Sequence, residues 1–534
     1  MLLDYFREHS LGDMNRIIRQ TIILLIFVSF SSQRKTIDLL VSYNLEDPSQ
    51  YQLKTSYGFD DSHKQQDYAK TDPDESNGQN HLDDENSTNL NEEIDKEDTS
   101  FNEEELDLLQ PENPTEGISV LYTQPEQIHL SIGNNVTTIV VTWQTMSPTP
   151  IPTCKYGREG MVKIATGDTA LFNDGGKEKL KRFIHRVQLE NLIPCQKYVY
   201  HCGSTLGWSE EFWFRSLDPS SDWVPTLAVY GDLGNINGRS LPFLQEETQR
   251  SHFDAILHIG DFAYDMRDAE GEVGDQFMRQ IEPIAAYVPY MVSPGNHEEA
   301  YNFSHYRYRF NMPNVEEFEN LFYEFKLGPV QFISINTEAY YFLEYGIKLV
   351  VKQYMWLVEV LKEANKPENR ARWPWIITYG HRPMYCSDDD GDDCTKKSSR
   401  IRTGLPVVNW FGLENLFYEA GVDLEIWAHE HSYERMWPVY EHKVYNGSNA
   451  EPYTNPNAPV HVISGSAGCQ ENTDHFIKHP MEWSAFRNSD YGYARLKIYN
   501  HTHLYWEQVS ADKEGDVIDS MWLIKNYHGP FSKK

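Results

Sequence analysis

The sequence predicts two folded regions, an all-β sandwich and, after it, a larger α/β domain in which strands and helices alternate. Between about residues 118 and 216, short alternating apolar runs are broken by proline, glycine and asparagine, a pattern typical of a β-sandwich. From about residue 225 onward, apolar strand candidates alternate with helical patterns, which favours helices layered over a sheet. We place the sandwich at residues 117–218 and the α/β domain at residues 219–534.

Three segments support the prediction of the sandwich. Thr137–Trp143, Lys197–His201 and Glu211–Arg215 are rich in β-branched and aromatic residues, which favour strands. No group of side chains in this region has the spacing of a catalytic motif, so we interpret the region as a packing or docking module.

The strand candidates of the α/β domain are short and apolar, as expected for buried strands. They are Thr226–Tyr230, Ala255–Ile259, Tyr290–Ser293, Trp375–Thr378 and Leu424–Trp427. Helical patterns cover residues 241–251, 350–364 and 412–420. We expect residues 460–523 to form further strands that complete the domain.

The start of the chain has the features of a secretion signal. Arg16 and Arg19 precede an apolar run, residues 21–30, that is too short to span a bilayer comfortably. We therefore predict a signal peptide at residues 1–32, with a membrane anchor or a buried helix as the alternatives. Met14 begins a more regular signal than the first residue does.

The segment 33–116 is rich in polar and acidic residues and poor in apolar ones, so we predict that it is disordered. Residues 38–116 hold 23 acidic side chains against four lysines, more than half of the net charge of −33. We interpret the segment as a solvated acidic tail, and a removable pro-segment is the alternative. The charge argues against nucleic acid or an anionic membrane surface as a partner, and no oligomer is indicated.

The cysteines and the glycosylation sequons agree with export, and we expect a secreted or lysosomal glycoprotein. The six cysteines lack metal-ribbon spacing, and an oxidising compartment would pair some of them. We predict a disulfide between Cys386 and Cys394, whereas pairing among Cys154, Cys195 and Cys202 stays unassigned; the sixth is Cys469. N-glycan acceptor sequons occur at Asn86, Asn135, Asn302, Asn446 and Asn500.

Five short motifs share one placement, directly after a predicted strand. They are Gly231-Asp232-Leu233-Gly234, Gly260-Asp261-Phe262-Ala263-Tyr264, Gly295-Asn296-His297-Glu298, Gly380-His381 and Ala428-His429-Glu430-His431. In open α/β sheets, functional sites assemble in the loops at the carboxyl ends of strands. We therefore consider these side chains as one site.

As a set, these side chains have the chemistry of metal ligands. Carboxylate, amide oxygen and phenolate suit a hard ion, and imidazole suits iron, zinc or manganese. A carboxylate can bridge two ions about 3.5–4 Å apart, the separation found in two-metal hydrolases. The spacing of His429 and His431 allows each imidazole to reach a different ion. Each motif alone is weak, because a lone histidine after a strand is usually a hydrogen-bonded core or surface residue.

The ordered set resembles the metallophosphoesterase superfamily, and Tyr264, three residues after Asp261, is similar to the purple acid phosphatases. The resemblance extends over residues 124–509, and the segments 379–386 and 429–435 are most similar to the animal type 7 members of that family. It implies an α/β metallophosphoesterase sandwich domain preceded by an all-β, fibronectin-III-like sandwich domain.

The resemblance also implies two metal ions and their ligands. It implies a ferric ion held by Asp232, Tyr264 and His431. It implies a second, divalent ion, either Fe, Zn or Mn, held by Asn296, His381 and His429. Asp261 would bridge the two ions.

Two neighbours of these ligands have expected roles. The resemblance implies that His297 faces the phosphate and the leaving group, where its protonated ring would act as the catalytic acid. Glu298 would orient a neighbouring ligand, with a solvated carboxylate as the alternative. The loop 382–394 lacks the histidines of plant members, and its acidic run is either a solvated loop or a barrier to highly phosphorylated substrates. Arg382 would contact phosphate or form a structural ion pair.

We therefore expect an acid phosphatase that hydrolyses small phosphate monoesters through a hydroxide activated by Fe(III) and a divalent ion. A phosphodiesterase or nucleotide hydrolase with the same site is one alternative. A secreted binding or structural protein that retains metals for stability is the other, and the complete ligand set argues against it.

Overall fold

The structure, a computed structural model, describes residues 22–29, 36–43, 51–57 and 120–531. The chain divides into two compact units, residues 1–99 and residues 100–534. In the first unit, β1 (Ile22–Ser29), β2 (Thr36–Tyr43) and β3 (Tyr51–Tyr57) form an antiparallel sheet in the order β1-β2-β3. Ile22 lies opposite Tyr43, and Ile37 lies opposite Tyr57.

These three strands lie where the sequence analysis expects a signal peptide and a disordered acidic segment. The apolar run of the expected signal peptide pairs with β2 as a strand, β2 pairs with β3, and the disorder expected of residues 33–116 stays a prediction. The acidic average of residues 33–116 conceals two short runs with β-forming residues, whose backbone groups satisfy one another by pairing. The remaining residues of the expected signal peptide and acidic segment, Asn86 among them, lie outside the described residues, and cleavage near residue 32 stays a prediction.

The second unit begins with a β-sandwich of nine strands. They are β4 (Glu126–Ile132), β5 (Ile139–Thr145), β6 (Thr153–Gly157), β7 (Lys163–Thr166), β8 (Asp168–Asn173), β9 (Lys181–Leu189), β10 (Lys197–Ser204), β11 (Gly207–Trp208) and β12 (Phe212–Arg215). One sheet has the order β4-β5-β9-β8, and the other has the order β11-β10-β6-β7 with β12 paired to β10. Buried aromatic residues, such as Trp143, Tyr198 and Phe214, fill the core.

All three predicted sandwich strands are confirmed, with small shifts at their ends. The first begins at Ile139 rather than Thr137, because Asn135 forms a turn there. Its side-chain Oδ1 accepts a hydrogen bond from the Thr137 backbone N–H, and its carbonyl accepts one from Thr138.

The α/β domain contains seventeen strands within the described residues. They are β13 (Thr226–Tyr230), β14 (Ala255–Ile259), β15 (Tyr290–Ser293), β16 (Tyr323–Leu327), β17 (Val330–Ser334), β18 (Trp375–Tyr379), β19 (Gly404–Leu405), β20 (Trp410–Phe411), β21 (Leu424–Trp427), β22 (Tyr433–Met436), β23 (Val439–Tyr440), β24 (Lys443–Val444), β25 (Val460–Ser464), β26 (Ser484–Asn488), β27 (Gly492–Ile498), β28 (His503–Ser510) and β29 (Asp516–Ile524). The five predicted strands and the C-terminal strands are confirmed.

Eight α-helices accompany these strands in the described part of the chain. They are α1 (Leu241–Gln249), α2 (Glu272–Ala285), α3 (Ala300–Arg309), α4 (Val315–Phe318), α5 (Lys348–Ala364), α6 (Pro367–Arg372), α7 (Arg400–Thr403) and α8 (Leu413–Ala420). On α2, Phe277, Ile281 and Ile284 recur at helical spacing and are buried against the sheet. None of the described helices combines the length and apolar character needed to cross a bilayer.

Two mixed sheets form the centre of the α/β domain. The first has the order β15-β14-β13-β27-β28-β29 and the second has the order β16-β17-β18-β21-β25-β22-β26. One core cluster contains residues of both sheets, for example Val229 and Ile377, so the sheets pack face to face. Helices α5 and α8 cover the other face of the second sheet. The division between sandwich and α/β domain at residues 218 and 219 stays a prediction.

Candidate metal centre

The parallel strands of the two sheets end close together, and the predicted ligands lie in the loops that directly follow these strands. Asp232 and Asp261 lie two residues beyond β13 and β14, and Asn296 lies three residues beyond β15. His381 and His429 lie two residues beyond β18 and β21. The structure thus brings together side chains from both sheets, as expected for loops at the carboxyl ends of strands.

Three of the predicted ligands form one group. The Tyr264 hydroxyl lies 2.9 Å from Nε2 of His431 and 3.5 Å from Oδ1 of Asp232. Nε2 of His431 also lies 3.5 Å from that carboxylate oxygen. All three side chains are buried.

The other four predicted ligands form a second group around His381. Its Nε2 lies 3.2 Å from Oδ1 of Asn296, 3.1 Å from Nδ1 of His429 and 3.2 Å from Oδ2 of Asp261. The two groups adjoin, because the backbone N–H of His429 donates to Oδ2 of Asp232 at 3.1 Å.

Hydrogen bonds behind the rings determine which imidazole nitrogen faces the site. Nδ1 of His381 lies 2.9 Å from the carbonyl of Ile259, and Nδ1 of His431 lies 3.0 Å from the carbonyl of Asn472. A carbonyl only accepts, so each Nδ1 carries the proton, and in the neutral ring the lone pair of Nε2 faces the other candidate ligands. Lone pairs that face one another repel, and a cation between them removes the repulsion. The residues therefore fit metal ions.

His429 is held by its other nitrogen. Its Nε2 lies 2.6 Å from Oδ2 of Asp392, so Nδ1 faces His381. Nη1 of Arg382 contacts both residues, at 2.7 Å from Nε2 of His429 and 3.1 Å from Oδ2 of Asp392. Asp392 is a functional contact that the sequence analysis missed, since it was treated there as part of an acidic loop.

Four candidate ligands have an unusual backbone conformation. The φ angles are 58° for Asp232, 52° for Asp261, 55° for Tyr264 and 70° for His429. These values lie in the left-handed region, which residues other than glycine seldom adopt. Such strain persists where surrounding contacts impose it, and it concentrates at functional sites.

Glu298 supplies some of those contacts. Its Oε2 accepts hydrogen bonds from the backbone N–H groups of Asp261 at 2.8 Å and Gly295 at 2.9 Å, and Oε1 accepts one from Phe262 at 3.0 Å. Because Glu298 is 2% exposed, the alternative of a solvated carboxylate does not describe it. A side chain at Gly295 would place Cβ 2.2 Å from Oδ1 of Asp261, so only glycine fits this close approach.

The buried carboxylates give the site a field that attracts cations. Burial lowers the pKa of His381, but the neighbouring charges of Asp261 and Asp232 outweigh it and raise the pKa to about 10. Burial also raises the pKa of Asp232, because a charged carboxylate is costly there. A metal ion would replace the histidine proton and compensate the carboxylates.

His297 lies at the edge of a cavity of about 300 Å³ that opens beside the two groups. Its Nδ1 lies 3.4 Å from Oδ1 of Asp265, and its ring centroid lies 4.6 Å from that of Tyr264. Burial lowers the pKa of His297, but Asp265 and Asp261 raise it to about 9. These carboxylates thus favour the protonated form of the ring.

The acidic loop lines this cavity through Asp390 and Asp392, so it is more than a solvated surface loop. Arg382 also lines the cavity, but its guanidinium forms ion pairs with Glu338 at 2.9 Å and with Asp392. The structural ion pair that the sequence analysis gave as one of two alternatives for Arg382 is therefore present.

The predicted disulfide is confirmed: Cys386 and Cys394 are bonded, with their Cα atoms 5.2 Å apart. The remaining cysteines, Cys154, Cys195, Cys202 and Cys469, are free.

Three family models match the chain in the order of these structural regions. The purple acid phosphatase N-terminal domain matches residues 125–216, the calcineurin-like phosphoesterase matches residues 225–433, and the iron/zinc purple acid phosphatase-like protein C matches residues 458–520. A relative named acid phosphatase type 7 from Danio rerio is 55% identical over 416 residues, which cover 76% of this chain and 93% of the relative. The chain belongs to the purple acid phosphatase family.

Two further comparisons agree with this assignment. Acid phosphatase type 7 from Homo sapiens is 50% identical over 408 residues, covering 76% of this chain and 92% of that protein. The solved structure of purple acid phosphatase PPD1 from yellow lupin seeds is 25% identical with a TM-score of 0.64, covering 76% of this chain and 75% of that one. The chain is therefore a phosphoesterase, with a calcineurin-like metallophosphoesterase domain behind a β-sandwich, and its family implies a dinuclear metal centre.

Proposed function

We propose that this enzyme hydrolyses small phosphate monoesters at acidic pH with a ferric ion and a divalent ion, Fe, Zn or Mn, as cofactors. The convergence of ring nitrogens at the strand ends supports the proposal, since Nε2 of His381 and of His431 faces carboxylate, amide and phenol oxygens while Nδ1 is held by a carbonyl. Hard oxygen ligands mixed with imidazole suit this pair of ions.

The proposed ligands divide as the two groups of side chains do. Asp232, Tyr264 and His431 would hold the ferric ion. Asn296, His381 and His429 would hold the divalent ion, with Asp261 shared between the two. When bound, the ions would lower the pKa of a water molecule and neutralise charge on the phosphate oxygens.

The chain's own residues would then complete the reaction. His297 lines the cavity and Asp265 favours its protonated form, so it would donate a proton to the leaving oxygen. Asp265 would hold the ring in place through Nδ1. Glu298 would keep Asp261 in its strained conformation by accepting the backbone hydrogen bonds around it.

The charge around the cavity supports a substrate with one phosphate group. Asp390, Asp392, Glu471 and Asp474 line it, and its single arginine, Arg382, is already paired with carboxylates. A substrate with several phosphates would be repelled by this rim.

The spectrum of the iron-loaded enzyme tests the ligand assignment. If Tyr264 binds Fe(III) as a phenolate, the wild-type protein is coloured by charge transfer, and Tyr264→Phe loses the visible band and binds iron more weakly. Tyr491→Phe is the matched control, because Tyr491 is not a proposed ligand and its hydroxyl lies 3.5 Å from the carbonyl of Cys469, a residue near the site. A Tyr264→Phe protein that keeps iron and the parent's band would refute the assignment.

The ratio of turnover on an aryl monoester and on the corresponding diester tests the reaction. We expect the monoester to be hydrolysed faster and the activity to be highest at acidic pH. Faster turnover of the diester would favour the alternative phosphodiesterase, and a metal-loaded protein without either activity would favour the metal-stabilised binding protein.

We further propose that the protein is exported to the secretory pathway, lysosome or cell exterior. The buried disulfide supports this, as do the exposed sequon residues Asn135, Asn302 and Asn500; Asn446 is partly buried. Expression in secreting cells followed by N-terminal sequencing and glycosidase treatment tests it. An uncleaved, unglycosylated intracellular product would contradict it.

A further inference from the structure

A second cluster of carboxylates adjoins the metal centre, and only one of its members, Asp474, lines the cavity of the proposed reaction. Asp388, Glu430 and Asp474 each offer one oxygen, and these three oxygens lie within 4.8 Å of one another. We call these residues the carboxylate triad. Glu430 lies between His429 and His431, and Asp388 lies in the loop closed by the disulfide.

Two members of the triad are buried without hydrogen-bond donors. Asp388 is 1% exposed and Glu430 is 0% exposed. Both oxygens of Asp388 and Oε2 of Glu430 make no well-formed hydrogen bond, although Ser432 lies close to Asp388 and Asp390 lies close to Glu430. Oε1 of Glu430 lies 3.1 Å from Sγ of Cys394, but that sulfur is in the disulfide and has no hydrogen to donate. Buried charged groups are otherwise paired, hydrogen-bonded or bound to a metal.

The charged groups that shift the pKa of Asp388 are all negative. Burial and then the charges of Glu434, Asp474 and Asp390 raise the pKa of Asp388 to about 8. The nearby base, Arg487, donates its hydrogen bonds to Ser387 and to the Ile477 carbonyl. Asp388 would thus hold a proton at acidic pH unless a cation displaced it, and the side chain of Arg487 is engaged elsewhere.

Backbone hydrogen bonds hold the triad together. The N–H of Asp389 donates to the His475 carbonyl at 2.7 Å, and the N–H of Ile477 donates to the Ser387 carbonyl at 2.9 Å. Asp474 is fixed by the N–H of His431, which donates to its Oδ2 at 2.5 Å.

A neutral oxygen completes the cluster. Ser432 is fully buried, and its Oγ makes no well-formed hydrogen bond, although it lies close enough to lower the pKa of Asp388. A buried hydroxyl and buried carboxylates that make no well-formed hydrogen bonds leave polar atoms that a common ligand would satisfy.

We propose that the carboxylate triad, with the Ser432 hydroxyl, binds a calcium ion that ties the disulfide loop to the turn carrying His429 and His431. All the ligand atoms are oxygens. Such a set favours hard ions such as calcium over zinc or copper, which prefer imidazole or thiolate ligands. Oxygens up to 4.8 Å apart fit a shared Ca²⁺, whose oxygen ligands lie about 2.3–2.6 Å from the ion. Mg²⁺ demands near-ideal octahedral geometry and dehydrates reluctantly, so this irregular, dry set suits it less well.

Calorimetric titration of CaCl₂ into the full chain with its catalytic metals loaded tests the proposal. The wild-type protein should bind one Ca²⁺ beyond the catalytic metals, or retain one on elemental analysis. Asp388→Asn should weaken the affinity at least about tenfold, because one of three charged ligands is lost. Asp389→Asn is the matched control, since it makes the same change at the adjacent, exposed position and should bind Ca²⁺ as the wild type does. MgCl₂ should bind at least about tenfold more weakly than CaCl₂.

The same proteins give an independent readout in thermal unfolding. Added Ca²⁺ should raise the unfolding temperature of the wild type and of Asp389→Asn more than that of Asp388→Asn. If Asp388→Asn does not fold, Asp474→Asn replaces it, because Asp474 is only partly buried. Absence of Ca²⁺ from the wild type in every measurement, equal affinity of the two aspartate variants, or equal affinity for Mg²⁺ would overturn the proposal.

Discussion

The metal centre and a second buried polar cluster use similar charged groups in opposite arrangements. In the second cluster, Asp275 of α2 accepts hydrogen bonds from Nε of Arg182 at 2.9 Å and from Nη1 of Arg309 at 2.7 Å. The side-chain amides of Gln127 and Gln144 donate to the same carboxylate at 3.3 and 3.2 Å. We call these five residues the arginine cluster; Arg182, Gln127 and Gln144 come from the sandwich strands and join them to α2 and α3.

The difference lies in what each carboxylate faces. Burial raises the pKa of Asp275, but Arg309 and Arg182 outweigh it and hold the pKa well below its usual range. The arginine cluster is thus largely closed, because donors face acceptors; Nη1 of Arg182 makes no hydrogen bond but lies 3.8 Å from Asp174. In the metal centre, ring nitrogens and carboxylate oxygens face one another, with the Tyr264 hydroxyl as a neutral donor among them. Removal of one partner from the closed cluster destabilises the fold, whereas the open cluster needs an added proton or cation to compensate its carboxylates.

The largest expected effect is on the open cluster. Asp261→Asn keeps the shape of the side chain but removes the charge that two ions would share, so we expect kcat/KM to fall at least about 10³-fold together with metal occupancy. Steady-state kinetics and elemental analysis measure both, with Asp268→Asn, an exposed neighbour, as the control. Retention of both metals and of the wild-type rate would contradict the shared role.

The closed cluster should respond in stability instead of activity. Asp275→Ala leaves two buried arginines without a counter-charge, so we expect the free energy of unfolding to fall by about 3–5 kcal/mol. Urea denaturation measures this change. The kcat of the protein that stays folded and metal-loaded should not change, and a selective loss of kcat without a loss of stability would break the comparison.

Substitution of Asp392 tests whether the residues that hydrogen-bond to the candidate ligands contribute to metal affinity. Asp392→Asn weakens the acceptor of the His429 ring N–H, so we expect the affinity for the divalent ion to fall about 10–100-fold. Competition with a metal indicator measures this affinity. Asp389→Asn carries the same charge change in the same loop, and equal affinities of the two variants would show that Asp392 acts only through its charge or not at all.

Asp254 is a buried carboxylate outside both clusters and has the smallest expected effect. It accepts one backbone hydrogen bond, from Thr226 at 2.9 Å, and burial raises its pKa to about 6. The folded state therefore holds a proton that the unfolded state has released, and the stability that this group contributes is present below about pH 4 and is lost as pH rises through 6. Asp254→Asn should remove this loss, which is at most about 3 kcal/mol for the rise of the pKa from 3.8 to about 6.

Unfolding free energies of wild type and Asp254→Asn at pH 4 and at pH 6.5 measure the difference. The control is Asp222→Asn, whose side chain is 90% exposed and should follow the wild type. If the two variants show the same pH dependence, the pKa of Asp254 is not raised in the folded protein.

Several parts of the fold were predictable because local patterns determine them. The apolar runs at 226–230, 255–259 and 424–427 are strands at those positions, since a short buried strand needs little beyond apolar side chains. The order Asp232, Asp261, Asn296, His381, His429 was readable for the same reason: each residue follows such a run directly. The strands β2 and β3 were missed because the average composition of a long acidic segment outweighed two short runs.

The sequence by itself determined the strands, the types of candidate ligand and the loop that the disulfide closes, because each depends on residues close together in the chain. Only the tertiary structure decided which atoms lie behind the ligands. Asp392 meets His429, Asn472 meets His431 and Ile259 meets His381 across separations of 37, 41 and 122 residues. The carboxylate triad likewise joins three separate loops. No local pattern encodes such contacts, since they form only when the strands of two sheets end at the same place.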